Sequence, residues 1–185
     1  MTSKYKVPPG YDPQKDKIEI VEYDPRWPEL YFQEEARLQK VLKEIPQFHI
    51  EHFGSTSVPG LGAKPIIDMM IAVESRDFWP ILIEPIKTLG YNHWEDNPKK
   101  DEMFFVKGMP PFGEKRTHHI HVLDFQGFRW KRERLFRDYL RVHIDEARKY
   151  EVLKRKLSVK FSTDREAYTE AKTEFINSIH SQIPG

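Results

Sequence analysis

The sequence predicts an α/β protein of the mixed α+β kind, with a mixed β-sheet core, helices packed on it and a helical C-terminal portion. Two observations lead to this fold class. Strand-like and helix-like segments are interspersed up to about residue 123, and only helical spacing follows them. Residues 65–73 form an almost wholly apolar run, which is typical of a buried central strand.

The individual elements follow from apolar spacing and from turn residues. The predicted strands are residues 18–21, 48–53, 65–73, 91–94, 103–107 and 118–123. A turn at residues 24–28 opens the first predicted helix, which runs to about residue 45. The other predicted helices are residues 78–89, 130–141 and 145–161, and a last helix from a capping box at 163–166 to about 181. Gly90 is placed to end the second helix, and Pro85 is expected to kink it.

Composition limits the class of protein. Lysine and arginine total 30 and aspartate and glutamate total 29, so the formal net charge is only +1. A chain without a general basic field is a poor candidate for binding duplex nucleic acid, and no such partner is expected. There is no cysteine, which excludes disulfides and a thiolate zinc site.

Length and hydropathy favour one domain in the cytoplasm. We predict a polar N-terminal tail over residues 1–17 and a single domain over 18–185. No apolar run approaches the roughly 18–20 residues of a membrane span, and the tail lacks the apolar segment of a secretory signal. No membrane association is therefore expected, and the sequence specifies no oligomeric state.

The segment from Gly54 to Asp68 carries the densest chemical signal. Gly54 follows a predicted strand and lets the backbone approach an anion, while Ser55, Thr56 and Ser57 add hydroxyl donors. Lys64 adds a positive charge, so the loop is a candidate phosphate-binding element. The alternative is that glycine, serine and proline simply make a turn. The loop is not a P-loop, which requires Gly-Lys-Ser/Thr at a helix start.

Three further side chains are candidate metal ligands or catalytic groups. Asp68 lies inside an apolar strand, where a carboxylate is costly unless it is paired or bound to a metal. His119 and His121 share one face of a predicted strand, and His118 points away. Two imidazoles and one carboxylate would suit a divalent metal, and one histidine could instead act as a general base. The alternative is that the histidines make structural hydrogen bonds in the core.

Four more cationic residues are candidate phosphate ligands. Arg137 and Arg141 lie on a predicted helix with aromatic neighbours, Lys172 lies on the last helix, and Arg116 precedes the histidine strand. Arginine is well suited to binding phosphate. For any one of the helical residues, the alternative is a solvated helix face with the aromatic side chains turned towards the core.

Several long motifs resemble the GrpB-like family. These are Gly-Ser-Thr-Ser-Val-Pro-Gly-Leu-Gly-Ala-Lys-Pro-Ile-Ile-Asp at 54–68, Thr-His-His-Ile-His-Val at 117–122, Phe-Arg-Asp-Tyr-Leu-Arg at 136–141 and Tyr-Thr-Glu-Ala-Lys at 168–172. The resemblance covers nearly all of the chain after residue 18. It implies a nucleotidyltransferase-like fold, and the family also occurs attached to some bacterial dephospho-CoA kinases.

The nucleotidyltransferase superfamily pattern is Gly-Ser followed by Asp-x-Asp on the next strand, where the carboxylates hold Mg²⁺. Asp68 lies thirteen residues after Ser55 and matches the second aspartate of that pattern. Ile66 stands where the first aspartate would be, so half of the carboxylate pair is missing. Two-metal transfer chemistry ordinarily uses more than one carboxylate.

These features leave three functions open. The first is a metal-dependent enzyme that binds a nucleoside triphosphate and transfers a nucleotidyl or phosphoryl group to an unspecified acceptor. The second is a catalytically incomplete module that binds a nucleotide or a phosphorylated small molecule. The third is a phosphoester hydrolase that uses the aspartate and histidines. The two enzymatic functions would use a divalent metal, with Mg, Mn and Zn as the candidates.

Overall fold

A computed structural model describes residues 7–183 and contains one five-stranded sheet. The strands are β1 (Phe48–Phe53), β2 (Ile67–Val73), β3 (Tyr91–His93), β4 (Met103–Lys107) and β5 (His118–Asp124). Their order across the sheet is β1-β2-β5-β4-β3. Only β2 and β5 pair in parallel, and the other neighbours are antiparallel, so the sheet is mixed as predicted.

Helices cover both faces of the sheet. They are α1 (Trp27–Val41), α2 (Trp79–Lys87), α3 (Phe128–Val142), α4 (Ile144–Lys160), α5 (Arg165–Glu170) and α6 (Thr173–His180). On one face, Leu38 of α1 and Leu82 of α2 join a core with Met69 and Ile120 of the central strands. Trp130 of α3 packs with Met70 on the opposite face. This alternation is the period-two pattern of a sheet buried on both sides.

The helical C-terminal portion has its own apolar cluster. Leu61, in the loop between β1 and β2, is buried with Phe136 of α3, Tyr150 of α4 and Ile179 of α6. The rings of Phe136 and Tyr150 meet edge to face with centroids 5.3 Å apart, a favourable aromatic geometry. This cluster holds the last helices beside the sheet and leaves space between them and the strands. No helix among residues 7–183 is long and apolar enough to cross a membrane.

Two elements differ from the sequence-based expectation. Residues 18–21 do not form a sheet strand; Val21 makes only an isolated bridge with Ala63, because Ile18 turns instead to the end of α4 and donates to Ser162. The predicted last helix is divided into α5 and α6. Its N-terminal cap is Asp164, whose carboxylate accepts from the Ala167 amide, instead of a box starting at Thr163.

The described part of the N-terminal segment is tied to the domain by Asp16. This side chain is buried and accepts from Arg116 Nε at 2.8 Å and from Arg165 Nη2 at 2.7 Å. Tyr11 also donates its hydroxyl to Asp16 at 2.8 Å. A carboxylate that satisfies two guanidinium groups at low exposure fixes the segment beside α5.

The buried histidine of β1 provides a test of this packing. His52 lies under Tyr31 with stacked rings and bonds to Thr56 Oγ1 at 3.0 Å, and burial lowers its pKa to about 4, against an opposing effect of Asp68. The folded state therefore resists protonation that the unfolded chain accepts near pH 6.5. The stability from neutral His52 is complete above pH 6.5 and is lost as the pH falls towards 4.

We expect His52→Gln to flatten the acid side of the stability profile. Its loss of unfolding free energy between pH 6.5 and 4 should be about 2–3 kcal/mol smaller than that of the wild type. Urea titrations at each pH measure this difference. His143→Gln removes an exposed histidine and serves as the control. Parallel profiles for His52→Gln and the wild type would contradict the assignment.

Candidate functional site

The parallel pairing of β2 with β5 brings the predicted ligands together. In this register Asp68 lies opposite His119 and Met70 lies opposite His121. Residues two apart on a strand share a face, so all three candidate side chains point to the same side of the sheet. One ligand atom from each of Asp68, His119 and His121 lies within 4.8 Å of the others. The strands predicted to converge on one site therefore do so.

Asp68 and His119 form a hydrogen-bonded pair. Nδ1 of His119 lies 2.9 Å from Oδ1 of Asp68. Burial lowers the pKa of His119 to about 3 despite the neighbouring carboxylate. Burial raises the pKa of Asp68, but the bond with His119 and the nearby Lys64 outweigh it and lower that pKa below its ordinary value. At neutral pH the pair is thus a carboxylate accepting from a neutral imidazole.

The loop after β1 closes tightly over Asp68. Gly54 has φ of 69°, and a Cβ at this position would lie only 2.7 Å from Oδ2 of Asp68, so glycine is required by both conformation and space. Ser55–Ser57 form one 3₁₀ turn. Thr56 and Ser57 direct their hydroxyls to backbone carbonyls, whereas the described residues offer the Ser55 hydroxyl no partner. Ser55 is therefore the hydroxyl of this loop that remains for a ligand.

The donor set fits one divalent ion. Nε2 of His119 is buried and has no hydrogen-bond partner among residues 7–183. Nδ1 of His119 is occupied by its bond to Asp68, so Nε2 is the ring nitrogen left to bind an ion. Three protein ligands would leave further coordination positions for phosphate oxygens or water. Two imidazoles and one carboxylate favour a transition metal over Mg²⁺.

Glu102 is a component of the site that the sequence interpretation missed. It precedes β4, is buried, and places Oε2 2.5 Å from Nδ1 of His121. The same carboxylate accepts from Arg129 at 2.9 Å and from Asn97 at 3.2 Å. An acidic residue at the start of an apolar strand is an ordinary sequence feature. Its link to His121 depends on the antiparallel β4–β5 pairing, which a local pattern does not specify.

The cluster of Asp68, His119 and His121 lies in the wall of a cavity of about 770 Å³ between the sheet and the C-terminal helices. Lys64 and Lys172 both lie over the ring of Tyr168, with their Nζ atoms 5.4 and 4.5 Å from the ring centroid. Neither lysine has a carboxylate partner within residues 7–183. Burial lowers the pKa of Lys172 to about 8 and lowers that of Lys64 well below its ordinary value. A bound polyanion would favour the charged form of both lysines, so this cavity wall is suited to a ligand with several negative charges.

Lys154 is a further cavity residue that the sequence interpretation missed. It donates to the carbonyl of Gly62, and its Nζ lies 4.9 Å from the Tyr150 ring centroid. Burial and the neighbouring Lys172 lower its pKa to about 7. Lys154 lies on α4, where its spacing is that of an ordinary amphipathic helix. Only the approach of the helix to the loop turns this lysine towards the cavity.

The predicted arginines differ in how far their donors are already used. Arg116 lines the cavity but is paired with Asp16. Arg137 also lines it and binds Glu51 at 2.7 Å and Asp138 at 2.8 Å. Arg141 donates from Nε and Nη2 to the carbonyl of Ser57. These arginines hold the segments around the cavity, and their role as phosphate ligands stays a prediction.

Comparisons with known proteins agree with the family resemblance. A UPF0157 protein of Pseudomonas aeruginosa is 45% identical over 93% of this chain and 72% of that protein. The glutamate-rich protein GrpB of Alkalihalophilus pseudofirmus is 32% identical over 91% of this chain and 97% of that protein. A dephospho-CoA kinase of Mycolicibacterium paratuberculosis is 28% identical over 84% of this chain, which spans 43% of that protein.

Solved structures confirm the fold class. The crystal structure of the conserved protein GrpB from Enterococcus faecalis superposes with a TM-score of 0.76 at 33% identity, covering 89% of this chain and 96% of that one. A structure of the Cid1 poly(U) polymerase with Mg 3′-dATP bound has a TM-score of 0.50 at 13% identity, covering 86% and 50% of the two chains, which shows a shared fold. The GrpB protein family model matches residues 17–182. The chain belongs to the GrpB family.

Proposed function

We propose that this protein is a metal-dependent nucleotidyltransferase-like enzyme that binds a nucleoside triphosphate and transfers a nucleotidyl or phosphoryl group. One observation carries the proposal: the Asp68, His119 and His121 cluster shares a cavity with Lys64 and Lys172. A cation site beside unpaired ammonium groups matches a ligand that carries several negative charges and a metal. The fold shared with a nucleotide-bound polymerase agrees with this ligand class.

Different residues around the cavity would bind different parts of the ligand. Lys64 and Lys172 would neutralise phosphate oxygens of the ligand, and the Tyr168 ring beneath them keeps both ammonium groups in place. The Ser55 hydroxyl and the backbone of its turn would contact a phosphate next to Asp68. A divalent ion, when bound, would supply electrostatic stabilisation of the charge that develops on the transferred phosphate. Positioning between these groups is the main contribution of the chain.

The imidazole-rich cluster supports a second candidate, a phosphoester hydrolase. Two histidines and a carboxylate with open coordination positions also suit the activation of water. Both reactions break a bond to phosphorus, and they differ in whether an added acceptor or water receives the nucleotidyl or phosphoryl group. Mass analysis of products in ¹⁸O-water separates them, because only hydrolysis incorporates the label into the released nucleotide or phosphate.

Asp68→Asn tests the metal-dependent step of binding. The change keeps the shape of the side chain and removes its charge, so we expect metal-dependent affinity for ATP, GTP, CTP or UTP to fall at least about tenfold and any transfer to disappear. Calorimetric titration with Mn²⁺ or Mg²⁺ measures the affinity. Asp124→Asn, on the same sheet but half-buried and paired with Arg76, is the matched control.

Two results would contradict the proposed enzymatic activity. Unchanged nucleotide binding and activity in Asp68→Asn would make Asp68 a structural residue. Nucleotide binding without turnover in the wild type, across a screen of acceptors and metals, would favour the binding module instead.

Lys172→Gln tests the anion-binding part of the cavity. Loss of one unpaired ammonium group should weaken triphosphate binding about tenfold and affect a nucleoside monophosphate less, since the monophosphate lacks the distal charges. Lys156→Gln, an exposed lysine of α4, should behave as the wild type. Equal losses for the triphosphate and the monophosphate would place Lys172 away from the distal phosphates.

A further inference from the structure

Glu102 is a buried carboxylate whose oxygens are engaged from three separate elements. Oε2 receives the bond from His121 of β5 and the guanidinium of Arg129 of α3, and Oε1 receives the Asn97 amide. Its side chain is only 3% exposed. A buried carboxylate satisfied in this way is held in one orientation, and it has little capacity left to bind an ion directly.

The hydrogen bond between Glu102 and His121 determines which nitrogen of the imidazole ring carries the proton. Arg129, whose guanidinium can only donate, places Nη2 2.9 Å from the same Oε2, so this oxygen is an acceptor and the carboxyl forms an ion pair with Arg129. An ionised carboxylate only accepts hydrogen bonds, so Nδ1 of His121 carries the proton. Nε2 is then the nitrogen with a free lone pair. His121 lines the cavity, and Nε2 has no hydrogen-bond partner among the described residues.

We propose that Glu102 is a positioning residue that holds His121 as the Nδ1–H tautomer, presents Nε2 to the ion, and thereby makes the cluster select a transition metal over Mg²⁺. The inference rests on the proposed function only in placing a divalent ion at Asp68. It assigns a role to a carboxylate that lies outside the set of three ligands.

The selectivity follows from the number of oxygen and nitrogen donors. Asp68 is the one carboxylate of the cluster, because Ile66 supplies no oxygen and Glu102 is occupied by its three donors. Mg²⁺ requires mostly oxygen ligands in octahedral geometry, whereas Mn²⁺ and Zn²⁺ accept imidazole. A carboxylate on the remote ring nitrogen also increases the basicity of the coordinating nitrogen. Glu102 thus strengthens binding to metals that accept nitrogen.

Calorimetry with the metal alone tests this role. Mn²⁺ should bind the wild type at least about tenfold more tightly than Mg²⁺. Glu102→Leu should weaken Mn²⁺ binding about 10- to 100-fold, and Glu102→Gln should weaken it less because its amide oxygen still accepts from Nδ1. Asp101→Asn, the exposed neighbouring carboxylate, should leave Mn²⁺ binding unchanged. Thermal unfolding without metal checks that each variant is folded.

A spectroscopic measurement keeps the test decisive if Glu102→Leu does not fold. The ¹⁵N shifts of the His121 ring should show the Nδ1–H tautomer in the wild type and an increased Nε2–H fraction in Glu102→Gln. An Nε2–H tautomer in the wild type, or unchanged Mn²⁺ affinity in Glu102→Gln, would overturn the inference.

A variant of a metal ligand distinguishes a failure of this inference from a failure of the proposed function. If His121→Gln loses Mn²⁺ binding while both Glu102 variants keep it, the metal site stands and the role of Glu102 is wrong. If the wild type binds no divalent metal, with or without nucleotide, the metal-dependent function and this inference both fail.

Discussion

Parallel pairing between β2 and β5 is the constraint on which the rest of the site depends. The register sets Asp68 beside His119, and the two-residue repeat then places His121 on the same face. A slip of one residue would turn every one of these side chains to the opposite, apolar face. The register is held by the residues that alternate with the ligands, because Met69 and Ile120 are fully buried against the first two helices. Core packing on one face of the sheet thus positions the candidate site residues on the other face.

Burial of charge is the second organising feature. Asp68 can remain ionised inside the protein because His119 donates to it and lysines stand near it. Lys64 and Lys172 lie against the Tyr168 ring and form no ion pair with a carboxylate within the described structure. Glu102 differs, since its charge is neutralised by Arg129 and by hydrogen bonds. The cavity therefore combines a cation-attracting wall with an anion-attracting wall, an arrangement suited to a metal-bound polyanion.

Much of the fold was accessible from local sequence patterns. The limits of β1 and β4 were predicted as observed, and β2 begins two residues after the predicted start. These strands have clear apolar alternation or continuous apolar runs. Residues 18–21 also have a strand-like pattern, but a strand needs a partner, and Ile18 bonds to the end of α4 instead. The division of the last helix was likewise missed, because its two halves share continuous helical composition.

The sequence by itself determined the fold class, the family resemblance, and the candidate set of Asp68, His119 and His121. These residues were recognisable because a polar group inside an apolar strand and a two-residue histidine repeat are local signals. Only the tertiary structure decided that Glu102 contacts His121, that Lys154 and Lys172 share one cavity, and that most of the predicted arginine donors are already paired. Such contacts join residues far apart in the chain, and their formation depends on strand pairing and helix packing that no local pattern encodes.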